Sequence, residues 1–337
     1  MHQEEPQLTV NSFLPDIRKS GESPLNNLHT LVGSGKSAIS LILKFLRLRG
    51  DLKNKMEEVL CPSWMGTWIY ATMVQQSFPV TLISDRTKVI YVYHQYGFLQ
   101  DINYLQDFAT DKKLTIIEDS AHLLSLEAGK LSFRKIGEFS LHSPPKFIPV
   151  CPVGIIESEN QEFNNFLEVE IQGSSKIAAL RNSSMRYYLD KKLAGPGLNS
   201  KTTSLRLAQL YSTYPFTHHT TGFARRGIPK LVEEFEIRKM RLDAIYSQLP
   251  EEYLPARNTL SREIVPFKVP VFLPSRAIEA TKGGKFRHEV NLGVVHFDKN
   301  QNMLKPDYSE VILIDFHSGM PETQFNRNLE IISSLIK

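Results

Sequence analysis

An acid and a lysine stand at the ends of two neighbouring hydrophobic segments. The apolar run Leu114-Thr115-Ile116-Ile117 stops at Glu118-Asp119 and passes into Ser120-Ala121-His122. Carboxylates at the carboxyl end of a hydrophobic strand occupy the place where open α/β sheets bind their ligands. A second short run, Glu138-Phe139-Ser140-Leu141, leads into the proline-pinned turn His142-Ser143-Pro144-Pro145-Lys146. Asp119 has three chemistries open to it: magnesium ligation, acid/base catalysis, or pairing with a cationic ring nitrogen. Taken alone it also suits a helix N-cap. Lys146 is either a solvated turn residue or, if buried, an amine of lowered pKa that can form a Schiff base.

A third candidate is the glycine turn Val32-Gly33-Ser34-Gly35-Lys36-Ser37. Its last three residues match the tail of the nucleotide loop G-x-x-x-x-G-K-[ST], but the first glycine of that motif is replaced by Thr30. A helix start binds phosphate through its free N–H groups without the full motif. The alternative is a helix simply capped by Ser34. His94 and His122 each follow a strand-like segment, and each either lines a cleft or is held structurally. His218 and His219 are adjacent, which does not suit one metal on one face, and no His-x-x-x-His or Cys-x-x-Cys occurs. Metal catalysis is not expected.

Apolar residues from Ile39 to Leu48 place a helix between the glycine turn and Gly50, a suitable C′ residue. Val59-Leu60-Cys61-Pro62-Ser63 reads as a strand end, Trp68 to Gln76 as a helix, and Val80–Ile83 and Lys88–His94 as strands. The segment joining those last two is short. Asp101 opens a helix with Ile102, Leu105, Phe108 and Ala109 on one side. Strands alternating with helices predict a mainly parallel sheet flanked by helices. After a weakly patterned stretch, with helices expected around Ser174–Leu189 and Ser204–Tyr214, a long amphipathic helix runs from about Pro229 to Leu249. Strands over Ile264–Phe272 and Val311–Asp315 and a final helix from Pro321 complete a smaller C-terminal α+β part.

Composition narrows the class little. The 337 residues are 41% hydrophobic and 23% charged, enough for a large core and two domains. The formal charge of +4 arises from 40 basic and 36 acidic residues mixed along the chain, without the basic block of a nucleic-acid binder. Cys61 and Cys151 lack metal spacing and read as buried reduced thiols. No apolar run approaches the roughly 20 residues of a spanning helix, and residues 1–16 lack a signal core, so a cytoplasmic protein without membrane insertion is expected.

Five blocks in order resemble one family. They are Ser34-Gly35-Lys36-Ser37-Ala38; Val59-Leu60-Cys61-Pro62-Ser63; Val92-Tyr93-His94-Gln95-Tyr96-Gly97; Ile117-Glu118-Asp119-Ser120-Ala121-His122; and Phe139-Ser140-Leu141 followed by Lys146. The chain is similar here to the DegT/DnrJ/StrS family of pyridoxal-phosphate-dependent sugar aminotransferases with the aspartate aminotransferase fold. The resemblance spans roughly residues 30–156 and is only in outline beyond. It implies an arm over 1–29, a large cofactor-binding domain over 30–220 and a small domain over 221–337.

The resemblance also implies roles. Lys146 would carry pyridoxal 5'-phosphate as an internal aldimine, and Asp119 would keep the pyridine nitrogen protonated. His122 would stand near the phenolic oxygen. Gly35, Lys36, Ser37 and Ser140 would hold the phosphate. The ring that the family stacks on the cofactor falls at Gly66, so Trp64 or Trp68 would replace it. The partners implied are a keto sugar nucleotide, an amino-acid donor, glutamate in most relatives, and a second subunit sharing the active sites, to which Asn199 is a candidate contributor. Two alternatives stand beside this. Gly66 and the single glycine left in Pro149–Gly154 suit a non-catalytic or regulatory relative, and Gly35-Lys36-Ser37 alone suits a phosphate-loop nucleotide-binding protein.

Overall fold

A computed structural model describes residues 23–150, 153–172, 225–257, 260–282 and 293–336. Its largest element is a seven-stranded sheet. In spatial order the strands are β1 (His29–Val32), β9 (Gly154–Glu157), β8 (Phe139–His142), β5 (Thr115–Asp119), β4 (Thr87–Tyr93), β2 (Glu58–Leu60) and β3 (Phe78–Val80). Only β9 runs against its neighbours; β8, β5, β4, β2 and β3 pair in parallel. The carboxyl ends of the other six strands therefore share one edge of the sheet.

Alternation along the strands sorts the residues onto two faces. Val89 and Tyr91 of β4, Ile117 of β5 and Phe139 and Leu141 of β8 pack with helix α1 (Gly35–Arg49) and helix α4 (Gln161–Gln172). Ile90, Val92 and Ile116 face helix α3 (Ile102–Lys112) instead. Ser34 caps α1 by accepting from Ser37 N, and Gly50 ends it in the left-handed conformation at φ 94°. Asp101 caps α3 through Tyr104 N. A short helix, α2 (Thr67–Met73), packs against α1 and β3. A large, mainly parallel sheet flanked by helices is the architecture expected from the sequence.

Two small antiparallel sheets accompany it, β10 (Ile264–Pro266) with β6 (Leu123–Glu127) and β7 (Lys130–Leu131), and β11 (Val269–Val271) with β13 (Tyr308–Ile314) and β12 (Val294–Asp298). Helices α5 (Lys230–Gln248), α6 (Ser275–Lys282) and α7 (Glu322–Ile336) build a second core with the latter sheet, around Ile245, Val269, Ile312, Phe325 and Leu329.

Several expectations change. The strand expected over Ile264–Phe272 is two strands in different sheets, divided because the Phe267 N–H donates to the carbonyls of Tyr96 and His122 rather than to a ladder. The strand expected over Val80–Ile83 ends at Val80, and Leu82, although apolar, is 82% exposed. Strands β1 and β9 are additional. The expected helices around Ser174–Leu189 and Ser204–Tyr214, together with Cys151, Asn199, His218 and His219, lie outside the described residues. Cys61 is a free, buried thiol, and burial pushes its pKa up.

Candidate active site

Four chain segments converge on the shared carboxyl edge: the turn from β1 into α1, the end of β4, the end of β5, and the turn after β8. Glycine permits two of the close approaches. A Cβ on Gly154 would lie 2.5 Å from the Ser34 carbonyl carbon, so β9 can pass under the start of α1 only without a side chain there. Gly97, at φ 98°, ends the turn after β4, and a Cβ on it would lie 2.2 Å from the His122 carbonyl oxygen.

Asp119 ends β5 on the α1 face and is 1% exposed. The Tyr91 hydroxyl donates to Oδ2 and the Ala121 N–H to Oδ1 at 2.8 Å. Burial pushes its pKa up, and the bonds from Tyr91 and Ala121 with the charges near His94 and Lys146 offset this only in part. Among the described residues no basic side chain forms an ion pair with it.

Glu118, its neighbour, faces the other way. Its Oε1 lies 2.8 Å from His94 Nε2 and its Oε2 accepts from the N–H groups of Lys135, Ile136 and Gly137. Burial alone would raise this carboxyl, but the His94 contact and the backbone donors prevail and hold it below the usual range. His94 accepts from Gln100 N at Nδ1. Both its nitrogens are thus engaged in structure rather than lining a cleft.

His122, next in chain to the Ala121 whose N–H donates to Asp119 Oδ1, is held by aromatic groups. Tyr93 Oη lies 2.7 Å from its Nδ1, and the Phe267 ring lies 4.8 Å from its ring and 27° from parallel. Burial first, then the nearby Lys146 and Lys268 charges, hold its pKa well below the usual histidine value, so the ring is neutral. Lys146 ends the 3₁₀ turn Pro144–Lys146, partly buried, with Nζ 5.5 Å from the centre of the Phe267 ring. Phe267 is in turn fixed by buried Arg238 of α5, which donates to its carbonyl at 2.8 Å and lies 4.9 Å over Phe147, next in chain to Lys146.

At the start of α1, Ser37 is buried with its hydroxyl 3.0 Å from that of Ser34. Lys36 Nζ lies 5.1 Å from the Trp68 ring. Of the two indoles, then, Trp68 accompanies the helix start, whereas Trp64 packs 4.5 Å from the His296 ring on β12. Ser140 does not join this group: its hydroxyl donates to the Phe133 carbonyl at 3.1 Å, on the face of β8 opposite the α1-facing Leu141. Ser143 does, since a Cβ on Gly35 would lie 3.7 Å from Ser143 Cβ and 3.8 Å from its Oγ. Thr30 of β1 is paired with Ile156 of β9, so the first residues of what would be a nucleotide loop, Thr30–Val32, are strand.

Tyr91, Tyr93, Ser143 and Arg238 are the site neighbours that the sequence reading passed over. The available signal was the pair of tyrosines two apart in a buried strand, because a buried phenol requires a hydrogen-bond partner.

With this geometry the arrangement suits an aromatic cation bearing an anionic tail: a carboxylate short of positive charge, a lysine, a histidine nitrogen, and a helix start beside a lysine and a serine. A family model described as "Putative PLP-dependent aminotransferase" matches residues 20–185, a span that contains Gly35, Lys36, Ser37, Asp119, His122 and Lys146. PLP is pyridoxal phosphate, the cofactor of that family.

Solved structures share the fold. PseC of Helicobacter pylori, an aminotransferase involved in the biosynthesis of pseudoaminic acid, is 12% identical with a TM-score of 0.60, covering 91% of this chain and 86% of its own. NtdA of Bacillus subtilis, solved with the bound cofactor PMP, is 15% identical with a TM-score of 0.61, covering 91% and 73%. The sugar aminotransferase CalS13 of Micromonospora echinospora is 13% identical with a TM-score of 0.60, covering 92% and 88%. No curated protein matches by sequence. Among the described residues no helix is long and apolar enough to cross a membrane, and no group of three or more metal-ligating side chains occurs.

Proposed function

We propose that this chain is a pyridoxal-phosphate-dependent aminotransferase that moves an amino group from an amino acid, glutamate by preference, to a keto sugar nucleotide. The observation that carries it is the buried Asp119, without an ion-pair partner among the described residues, at the same sheet edge as Lys146 and the start of α1. A carboxylate with a raised pKa in such a place gains most from a protonated ring nitrogen. The bound cofactor would supply an electron sink for the bond-breaking step at the substrate carbon.

The remaining chemistry belongs to side chains of this protein. Lys146 Nζ would hold the cofactor covalently and, once displaced by the incoming amine, move the proton at the substrate carbon. Asp119 would hold the proton on the ring nitrogen. The N-terminal turn of α1, with the Lys36 ammonium and the Ser143 hydroxyl, would bind the phosphate, and Phe267, fixed by Arg238, would limit the space around Lys146. The substrate class is supported by the sugar aminotransferase CalS13 among the structural neighbours; a cytoplasmic homodimer with shared sites is proposed with it on the family resemblance alone.

The test is a half-reaction. Protein loaded with pyridoxal phosphate and mixed with glutamate should convert its bound cofactor to the amine form, and a panel of keto sugar nucleotides should then return it. A loaded protein that ignores every amino-acid donor would instead favour the non-catalytic relative. Magnesium-dependent ATP binding abolished by Lys36→Ala, with no lysine-bound cofactor, would favour the nucleotide-binding protein.

A further inference from the structure

The Tyr93 hydroxyl lies 2.7 Å from His122 Nδ1. Burial keeps the Tyr93 phenol protonated by pushing its pKa well up. That proton needs an acceptor in this buried place, and His122 Nδ1 is the partner present. A nitrogen that accepts carries no hydrogen, so in the neutral ring the hydrogen resides on Nε2. Among the described residues Nε2 has no hydrogen-bond partner, and the His122 side chain is only partly buried.

We infer that Tyr93 is a positioning residue that fixes the Nε2–H tautomer of His122, so that this ring presents a donor to an acceptor oxygen of the bound ligand. The cofactor-facing part of this inference rests on the proposed function; the tautomer does not. Under that function the acceptor is the oxygen on the cofactor ring. A hydrogen-bond donor there favours the anionic form of that oxygen and holds the ring in register with Lys146. The Phe267 ring lying against His122 leaves the imidazole edge as its means of contact. Phe147, on the other side of Lys146 in the chain, packs at 70° against the same Phe267, which keeps that edge in place.

The experiment has two arms on the full-length chain. In the first, long-range nitrogen–proton correlation spectra are recorded without cofactor, His122 being assigned by His122→Gln. The native protein should show hydrogen on Nε2 and an accepting Nδ1, and Tyr93→Phe should move the Nδ1 resonance to that of a nitrogen with no donor. Hydrogen on Nδ1 in the native protein, or no change on Tyr93→Phe, would overturn the inference. In the second arm, pyridoxal phosphate is titrated into four proteins. Tyr93→Phe should weaken binding about fivefold, the worth of one neutral hydrogen bond, and blue-shift the visible band. In the His122→Gln background the same change should have less than about a twofold effect, because a glutamine amide carries its own donor. An equal loss in both backgrounds would mean that Tyr93 only packs. If no protein binds the cofactor, the proposed function fails while the first arm still decides the tautomer.

Discussion

Glu118 and Asp119 are consecutive, equally buried, and on opposite faces of β5. Glu118 meets a histidine and three backbone N–H groups, and its pKa falls. Asp119 meets one phenol and one N–H, and its pKa rises. A carboxylate that serves the fold has its acceptor capacity filled by the fold. Under the proposed function Asp119 is left short of positive charge for a ligand to supply, and the cofactor-free chain bears that cost. The same contrast holds between Ser140, whose hydroxyl is taken by a carbonyl, and Ser143, which faces a helix start.

The comparison can be broken most sharply at Glu118. Glu118→Ala leaves His94 Nε2 and three backbone N–H groups without their acceptor and should cost roughly 3–5 kcal/mol, at about 1–3 kcal/mol for each buried group left unpaired, read as a lower denaturation midpoint. Asp119→Asn should leave cofactor-free stability at pH 7 unchanged or higher while weakening pyridoxal phosphate binding about tenfold, the equivalent of one pKa unit of charge interaction. A large stability loss in Asp119→Asn would erase the distinction between the two acids.

Their pH dependences should have opposite signs. Asp119 keeps its proton to higher pH when folded than when unfolded, so its contribution falls as pH rises from the ordinary carboxylate range through the raised value. Asp119→Asn should remove that slope. Glu118, with a lowered pKa, contributes stability present above the ordinary range and lost as pH falls through the folded value. Denaturant midpoints between about pH 3 and 7 for the two variants would resolve the slopes.

The serines provide the smallest effect. Ser143→Ala should weaken cofactor binding about fivefold with little change in stability, whereas Ser140→Ala should cost about 1 kcal/mol of stability and leave binding intact. The reverse pattern would return the phosphate to Ser140.

The sheet was legible because apolar runs that stop abruptly at Glu118-Asp119 and at His94 mark parallel strands with helices between them. Strand β1 runs straight into the glycine turn and β9 starts on Gly154, which hides both, and β10 and β11 form one apolar run whose division depends on Tyr96 and His122, far away in sequence. Within the site, Asp119 and Lys146 announce themselves as charged residues ending hydrophobic segments. Tyr91 and Tyr93 are hidden because alternation assigns them to a core face, and only the three-dimensional partner of each hydroxyl gives it a role. Ser140 and Ser143 differ by three positions, but which one faces the start of α1 depends on the strand ending between them.

The central claim is tested most directly by the visible absorption spectrum of the purified protein with pyridoxal phosphate, beside that of Lys146→Ala. The account predicts a band of lysine-bound cofactor in the native chain that is missing from the variant and bleaches when glutamate is added. A band unchanged by the substitution, or none in the native protein, would contradict it.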